Sequence, residues 1–198
     1  MKLILDPLPE LRGKHAFMAP SQYYWLYDNR EKFIARYDNS DAQLRGTLDH
    51  EFAELCIKRK QKLPKSKSTL NQYVNDAIAY DMVPEVALRY SDICFGHADC
   101  LTFDERKKLL RIHDLKTGNT PAKFDQLEIY AALFYSQYWD QIEYSLMIPI
   151  KECRTELRIY QFDDVQIEEL PMDDVIDIQN RIQERHEWLS EELTRRGK

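Results

Sequence analysis

The stretch Ile112-His113-Asp114-Leu115-Lys116 closes an apolar run that begins at Leu109. Side chains alternate between the two faces of a β-strand, so Asp114 and Lys116 project to one side and Leu115 to the other. An earlier apolar run contains Gly96-His97-Ala98-Asp99, and the polar turn 104–108 separates the two runs. The pattern predicts a hairpin that brings Asp99 next to Asp114.

Two neighbouring carboxylates repel each other unless a cation lies between them, and oxygen ligands of this kind suit Mg²⁺ or Mn²⁺. We therefore predict that Asp99 and Asp114 bind one of these metals. Such an ion lowers the pKa of a bound water and neutralises charge on a phosphate, while a lysine such as Lys116 orients the water or stabilises the transition state. The combination favours phosphodiester hydrolysis.

Three motifs occur in an order that resembles the PD-(D/E)XK nuclease superfamily, in particular its RecB-like exonuclease branch. They are Gly96-x-x-Asp99, Asp114-x-Lys116 and Gln126-x-x-x-Tyr130. The resemblance implies an α/β fold with a restriction-endonuclease-like core, in which a central mixed β-sheet is flanked by helices and accompanied by N-terminal helices.

The resemblance also implies roles for residues around the two carboxylates. The Leu115 carbonyl is expected to be a further metal ligand. Gln126 and Tyr130 lie four residues apart on one helix face, where the family uses this pair in catalysis and in placing the DNA strand. Without the preceding Asp-x-Lys strand, the simpler interpretation is a solvent-facing glutamine and a core tyrosine.

The family usually carries Gly-x-x-x-His on an upstream helix, and this chain has Gly46-Thr47-Leu48-Asp49-His50. Gly46, His50 and Glu54 recur four residues apart and so share one helix face. The resemblance makes His50 the third metal ligand. The alternative is that His50 is an ordinary surface or core histidine and Glu54 part of a solvated face.

The activity implied by the resemblance is metal-dependent hydrolysis of DNA, most simply as an exonuclease in recombination, repair or phage DNA turnover. DNA is the expected partner. Because no ATP-binding motif is present, any unwinding would need a recombination, replication or helicase partner protein. Two alternatives stay open: a catalytically silent nuclease-fold protein for DNA binding or assembly, and a structure-specific endonuclease or RNase.

The pattern along the chain predicts a single nuclease domain over 1–198, with a helical N-terminal part at about 20–82, a catalytic core at about 84–165 and a C-terminal helix at about 172–196. The expected strands are 85–90, 92–103, 109–116, 141–150 and 156–162, and the expected helices are 22–37, 41–60, 69–80, 121–138 and 172–196. The many aromatic residues of 22–37 are expected in the core, with stacking on unpaired bases as the alternative.

Composition bounds the cellular setting and the cofactors. The 198 residues, 43% of them hydrophobic, can bury one substantial core. No apolar stretch approaches a membrane span and the N-terminus lacks a secretory signal, so we expect a cytoplasmic protein, in the host cytoplasm if it is phage-encoded. The four cysteines form no CxxC pair. Some RecB-like proteins hold an iron–sulfur cluster with one early cysteine and a late cysteine-rich group. This chain lacks the late group, so the resemblance implies no cluster.

Net charge and its distribution give opposite indications about DNA binding. The formal net charge is −6, which is unusual for a nucleic-acid enzyme, since phosphate neutralisation supplies much of such binding. A basic run directly follows the His50 helix, however, and is a candidate for holding the DNA backbone. The alternative is a solvated lysine-rich loop. The candidate residues are Lys58, Arg59, Lys60 and Lys62.

Overall fold

The computed structural model describes residues 3–12, 14, 16–38, 48–118 and 120–197. Its strands are β1 (Val83–Ser91), β2 (Cys94–Asp104), β3 (Leu109–Leu115), β4 (Arg154–Gln161) and β5 (Asp164–Leu170). Its α-helices are α1 (Arg30–Asp38), α2 (Leu48–Lys58), α3 (Thr69–Ala79), α4 (Asp125–Asp140) and α5 (Met172–Arg195), and a longer 3₁₀ segment spans Pro20–Tyr27.

The five strands form one mixed sheet in the order β1-β2-β3-β4-β5. Each neighbouring pair is antiparallel except β3 and β4, which run parallel. A parallel pair needs a crossover connection, and α4 supplies it. The fold is therefore α/β with a mixed sheet flanked by helices, which is the coarse architecture that the sequence predicts.

Apolar side chains cover both faces of this sheet. On one face, Leu110 and Ile112 of β3 pack with α4, α5, α1 and the 3₁₀ segment. On the other, Leu115 and Tyr160 pack with α2 and α3. Because β3 is central and covered on both faces, every one of its residues is buried. A carboxylate on this strand therefore lies in the core.

The sequence predicts several of these elements well. The helices expected at 69–80 and 172–196 correspond to α3 and α5, and the first three expected strands correspond to β1, β2 and β3. The helix expected at 121–138 begins later, at Asp125. For the His50 helix expected at 41–60, α2 starts at Leu48, and Gly46 lies outside the described residues.

Two element predictions are wrong. The stretch 141–150 is not a strand: α4 continues into a π-helical turn over Gln141–Ser145, and the Glu143 carboxylate accepts a hydrogen bond from the Ile150 amide at 2.8 Å. A short alternating apolar run does not distinguish a strand from the extension of an existing helix. The helix expected at 22–37 is split, because α1 begins anew after Asn29, whose side chain accepts the Lys32 amide at 2.9 Å.

The prediction missed β5, which follows a tight turn after β4. This strand is at the sheet edge, and only Leu170 of its seven residues is buried. Its acidic, exposed sequence lacks the apolar alternation that marks a half-buried strand. As a result the sheet extends beyond the expected end of the core at residue 165.

None of the helices in the described part of the chain has the length and apolar character needed to cross a bilayer.

One glycine fixes how the N-terminal region meets the sheet. A Cβ atom on Gly96 of β2 would stand 2.6 Å from Pro20 Cδ and 3.2 Å from Tyr130 Cε1. Such a separation is far inside van der Waals contact, so only glycine permits this approach. Gly96 therefore lets the 3₁₀ segment and α4 close on the strand that carries Asp99.

We predict that Gly96→Ala lowers the free energy of unfolding by about 1–3 kcal/mol, because the methyl group overpacks a site bounded by a proline ring and an aromatic ring. Gly118→Ala is the matched control, since no atom lies within 4 Å of a Cβ built there. Urea unfolding of both variants measures the difference. Equal stability of the two variants would show that the approach to Gly96 is not tight.

Candidate active site

The strand registers align three carboxylates across the sheet. Cys100 pairs with His113 at the end of the β2–β3 ladder, and one step further Asp99 stands opposite Asp114. In the β1–β2 ladder Pro84 pairs with Cys100 and Val86 with Ala98, so that Glu85 stands opposite Asp99. The hairpin interpretation predicts the neighbouring positions of Asp99 and Asp114, and Glu85 joins them through the β1–β2 register.

The sheet is distorted at this row of carboxylates, which consists of Glu85, Asp99 and Asp114. Glu85 has a φ angle of +53° inside β1, a conformation that is uncommon for a non-glycine residue. Ala98 belongs to the core on the α4 side, while Cys100, two residues later, belongs to the core on the α2 side. The Leu115 amide donates to the Asp99 carboxylate at 2.9 Å, so a side chain takes the place of a ladder partner. The row therefore lies where β2 and β3 separate.

Asp114 and Lys116 form an ion pair in which the carboxylate is buried and the lysine is half-buried. The ammonium of Lys116 donates to Asp114 Oδ1 at 3.0 Å and lies 2.9 Å from Oδ2. It also donates to Gln126 Oε1 at 2.8 Å, and Gln126 Nε2 donates to the Tyr130 hydroxyl at 3.5 Å. Asp114 is only 2% exposed. Four residues that the sequence singled out are thus joined by one chain of hydrogen bonds.

His50 reaches the same place from α2. Its Nδ1 lies 3.5 Å from Asp99 Oδ2. Burial acts to lower the pKa of His50, but the hydrogen bond and the charge of Asp99 outweigh it, so the pKa lies above its usual value. The structure therefore brings His50 to Asp99. The other expected ligand, Leu115, contacts Asp99 through its backbone amide, and its side chain is buried.

The electrostatics of the row are dominated by crowded negative charge. Burial raises the pKa of Asp114 to about 7, with Lys116 opposing the shift and Asp99 adding to it. Burial and the charge of Asp99 also raise the pKa of Glu85 to about 7. For Lys116, burial is outweighed by Asp114 and Asp99, so its pKa is raised and it is an ammonium ion. The row stabilises cations.

The donor set fits a divalent cation in its chemistry. Asp114 Oδ2 is buried, with the Lys116 ammonium 2.9 Å away as its ion-pair partner, and two carboxylates with an imidazole are ligands that Mn²⁺ accepts. In the part of the chain that the structure describes, no three His, Cys, Asp or Glu side chains are already gathered closely enough to hold a metal. A metal would therefore compete with Lys116 for Asp114 and draw His50 inward.

A groove of about 890 Å³ opens over this row. The sheet and α2 form one wall, which includes His50, Glu54 and Asp99, while the described part of the N-terminal segment between Leu5 and Ser21 forms the other. That segment was missed by the sequence reasoning. Arg12 from it lies 3.9 Å from Glu54, and its irregular sequence carries no periodic signal that could have predicted the contact.

The basic run is only partly directed at the groove. Lys58, at the end of α2, lines it and pairs with Glu54. Lys60 pairs instead with Asp81, while Arg59 and Lys62 are exposed and are not among the groove residues. The structure thus brings one of the four predicted DNA-binding cations to the site.

Comparison of the sequence with protein-family models gives no matching family, and no curated protein matches it.

We predict that Asp114→Asn stabilises the metal-free protein relative to wild type at pH 8 but has a much smaller effect at pH 4.5. The pKa of Asp114 is about 7 in the fold, above the ~3.9 of an unfolded aspartate. The stability from the protonated carboxyl is therefore fully present below the unfolded pKa and is lost as the pH rises through the folded pKa.

The change in the free energy of unfolding that Asp114→Asn causes should differ between the two pH values by about 1 kcal/mol or more. Urea unfolding in the presence of EDTA measures it. Asp177→Asn, on the exposed side of α5, is the control and should give no comparable change. A pH-independent effect of Asp114→Asn would contradict a carboxyl with a raised pKa.

Proposed function

We propose that this protein is a metal-dependent deoxyribonuclease with a restriction-endonuclease-like core, of the RecB-like PD-(D/E)XK type. The observation that carries the proposal is the alignment of Asp99 and Asp114 on adjacent strands, with Lys116 bonded to Asp114. Two crowded carboxylates and a lysine at the opening of a groove form the arrangement that metal-dependent phosphodiester hydrolysis requires.

In this proposal Asp99 and Asp114 hold Mg²⁺ or Mn²⁺, with His50 and the Leu115 carbonyl completing the ligands. The metal supplies an activated water and neutralises charge on the phosphate. Lys116 carries a proton, because its pKa is raised, so it acts as a donor that orients the attacking water and stabilises the negative transition state.

Gln126 and Tyr130 serve this lysine and the DNA. The Gln126 amide oxygen accepts a hydrogen bond from Lys116 at 2.8 Å, which would limit the positions of the ammonium if Asp114 held a metal. Both residues line the groove with Lys116. They therefore help to place the strand whose phosphate is cleaved.

A binding protein without catalysis is the main alternative, and the charge of the groove speaks against it. The groove residues include Glu85 and Asp99, which stand opposite each other on adjacent strands, and neighbouring carboxylates repel the phosphates that a DNA-binding protein must attract. A site that binds DNA without a metal has no physical use for this row. With a divalent cation the same carboxylates become favourable.

The direct test compares cleavage of end-labelled linear single-stranded DNA, linear duplex DNA and closed circular DNA with Mg²⁺, Mn²⁺ or EDTA. The proposal requires metal-dependent cleavage of at least one linear substrate. Resistance of the closed circle identifies an exonuclease, whereas its cleavage identifies an endonuclease. Binding without cleavage in either metal would favour the silent nuclease-fold protein, and cleavage of a matched RNA alone would favour an RNase.

We predict that Asp114→Ala and Lys116→Ala each reduce DNA cleavage by at least about 100-fold, because each removes a group that stabilises charge in the transition state. The matched controls are Asp177→Ala and Lys151→Ala, which change exposed residues away from the groove. Circular dichroism and initial cleavage rates test the four variants together. Wild-type activity in a folded Asp114 or Lys116 variant would refute the assignment.

A separate prediction concerns the choice of metal. Imidazole suits transition metals better than hard Mg²⁺, so His50→Ala should weaken Mn²⁺ binding more than Mg²⁺ binding. Titration calorimetry with each metal measures the two effects. His186→Ala in α5 is the control histidine, which contacts Tyr90 and does not line the groove. Unchanged Mn²⁺ affinity in His50→Ala would make His50 an ordinary structural histidine.

A further inference from the structure

Phe162 is an exposed aromatic residue in an unfavourable backbone position. It lies in the turn between β4 and β5, is 56% exposed and has a φ angle of +55°. Glycine, asparagine and aspartate are the residues that tolerate this conformation, and a bulky side chain here is an outlier. A strained backbone position of this kind motivates a hypothesis of function.

Both neighbours of Phe162 are firmly anchored. Asp163 exchanges two hydrogen bonds with Thr69 at the start of α3: the Thr69 amide donates to Asp163 Oδ1 at 2.8 Å, and the Asp163 amide donates to Thr69 Oγ1 at 2.7 Å. Gln161 is buried and donates to the carbonyl oxygens of Gly118 and Thr120, each at 2.8 Å. The ring of Phe162 is thus presented by a rigid turn.

The ring forms one wall of an open pocket of about 350 Å³ that reaches Lys116. Lys116 also lines the large groove, so the two cavities meet at the lysine of the candidate active site. The charged residues of the smaller pocket are Lys116 and Asp49, which cancel formally. A pocket of this size and charge suits a flat neutral group better than a phosphate.

We propose that Phe162 stacks on an unpaired base of single-stranded DNA, next to the phosphate held at Lys116. This inference rests on the proposed nuclease function and names its substrate class. The strand follows the large groove to Lys116 and places the adjoining base in the smaller pocket. Stacking requires a base that is not paired within a duplex, and it is tolerant of sequence because every base has an aromatic face.

The test measures binding of a fluorescent single-stranded oligonucleotide, with Ca²⁺ in place of the catalytic metal. Phe162→Asn and Phe162→Leu should each weaken binding about tenfold, while Phe162→Trp should retain it. Tyr144→Ala is the matched control, because Tyr144 is 70% exposed on the turn after α4, at the far end of that helix from Gln126. Binding of the fully paired duplex should be the same in all variants.

A second measurement distinguishes stacking from a structural role. Phe162→Asn should be at least as stable as wild type, since asparagine tolerates a positive φ. A series of oligonucleotides carries one abasic site at successive positions. At one of these positions the abasic site should lower the affinity of wild type about tenfold and leave the affinity of Phe162→Asn unchanged. Such non-additivity identifies the base that contacts the ring.

The outcomes separate the two proposals. If wild type neither binds nor cleaves DNA, the nuclease function is wrong, and the role of Phe162 with it. If wild type cleaves DNA but Phe162→Asn and wild type bind single strands equally, with equal losses at every abasic position, the stacking role of Phe162 is overturned and the nuclease function stands.

Discussion

The buried charge of Asp114 is the constraint on which the site depends. An ionised carboxylate in a central strand costs several kcal/mol unless a cation compensates it. In this structure Lys116 provides the cation, and Gln126 fixes Lys116 in turn. Asp99 adds a second negative charge one strand away. Lys116 therefore compensates only part of the negative charge of Asp99 and Asp114, and a divalent cation would compensate the rest.

Access to this buried charge comes from irregular structure around a regular sheet. The ladder is distorted at Glu85 and opens at Asp99, whose carboxylate binds the Leu115 amide. Gly96 lets Pro20 approach the strand closely, so the chain before Pro20 lies beside the opening and walls the groove. Each deviation from an ideal sheet lies within a few residues of the row, which is where strain is most often functional.

The sequence predicted the part of the site that follows from strand alternation. The faces of Asp114 and Lys116 and the hairpin that aligns Asp99 follow from a period of two residues, and the shared helix face of Gln126 and Tyr130 follows from a period of 3.6 residues. The role expected of Gln126 and Tyr130 came from the resemblance instead. Both periods are local properties. The helical period also gave α3 and α5 correctly, because each of them buries one periodic apolar face, whereas β3 is marked by a continuous apolar run because it is buried on both faces.

The remaining features depend on contacts between distant segments. Glu85 joins the row only through the β1–β2 register, and the N-terminal wall of the groove has no periodic pattern. Phe162 is a single aromatic residue in a turn, and its position beside Lys116 results from anchors on α3 and on the loop after β3. Of the four cations of the basic run, Lys58 is the one among the described groove residues, and the role of the run in DNA binding stays a prediction.

The central claim is that Asp99 and Asp114 bind a divalent cation between them. Anomalous diffraction from crystals soaked in Mn²⁺ tests this claim most directly. The predicted result is one anomalous peak between the two carboxylates, with the Lys116 ammonium moved off Asp114 and still bonded to Gln126. Peaks confined to other acidic surfaces, with the Asp114 to Lys116 pair intact at saturating Mn²⁺, would contradict it.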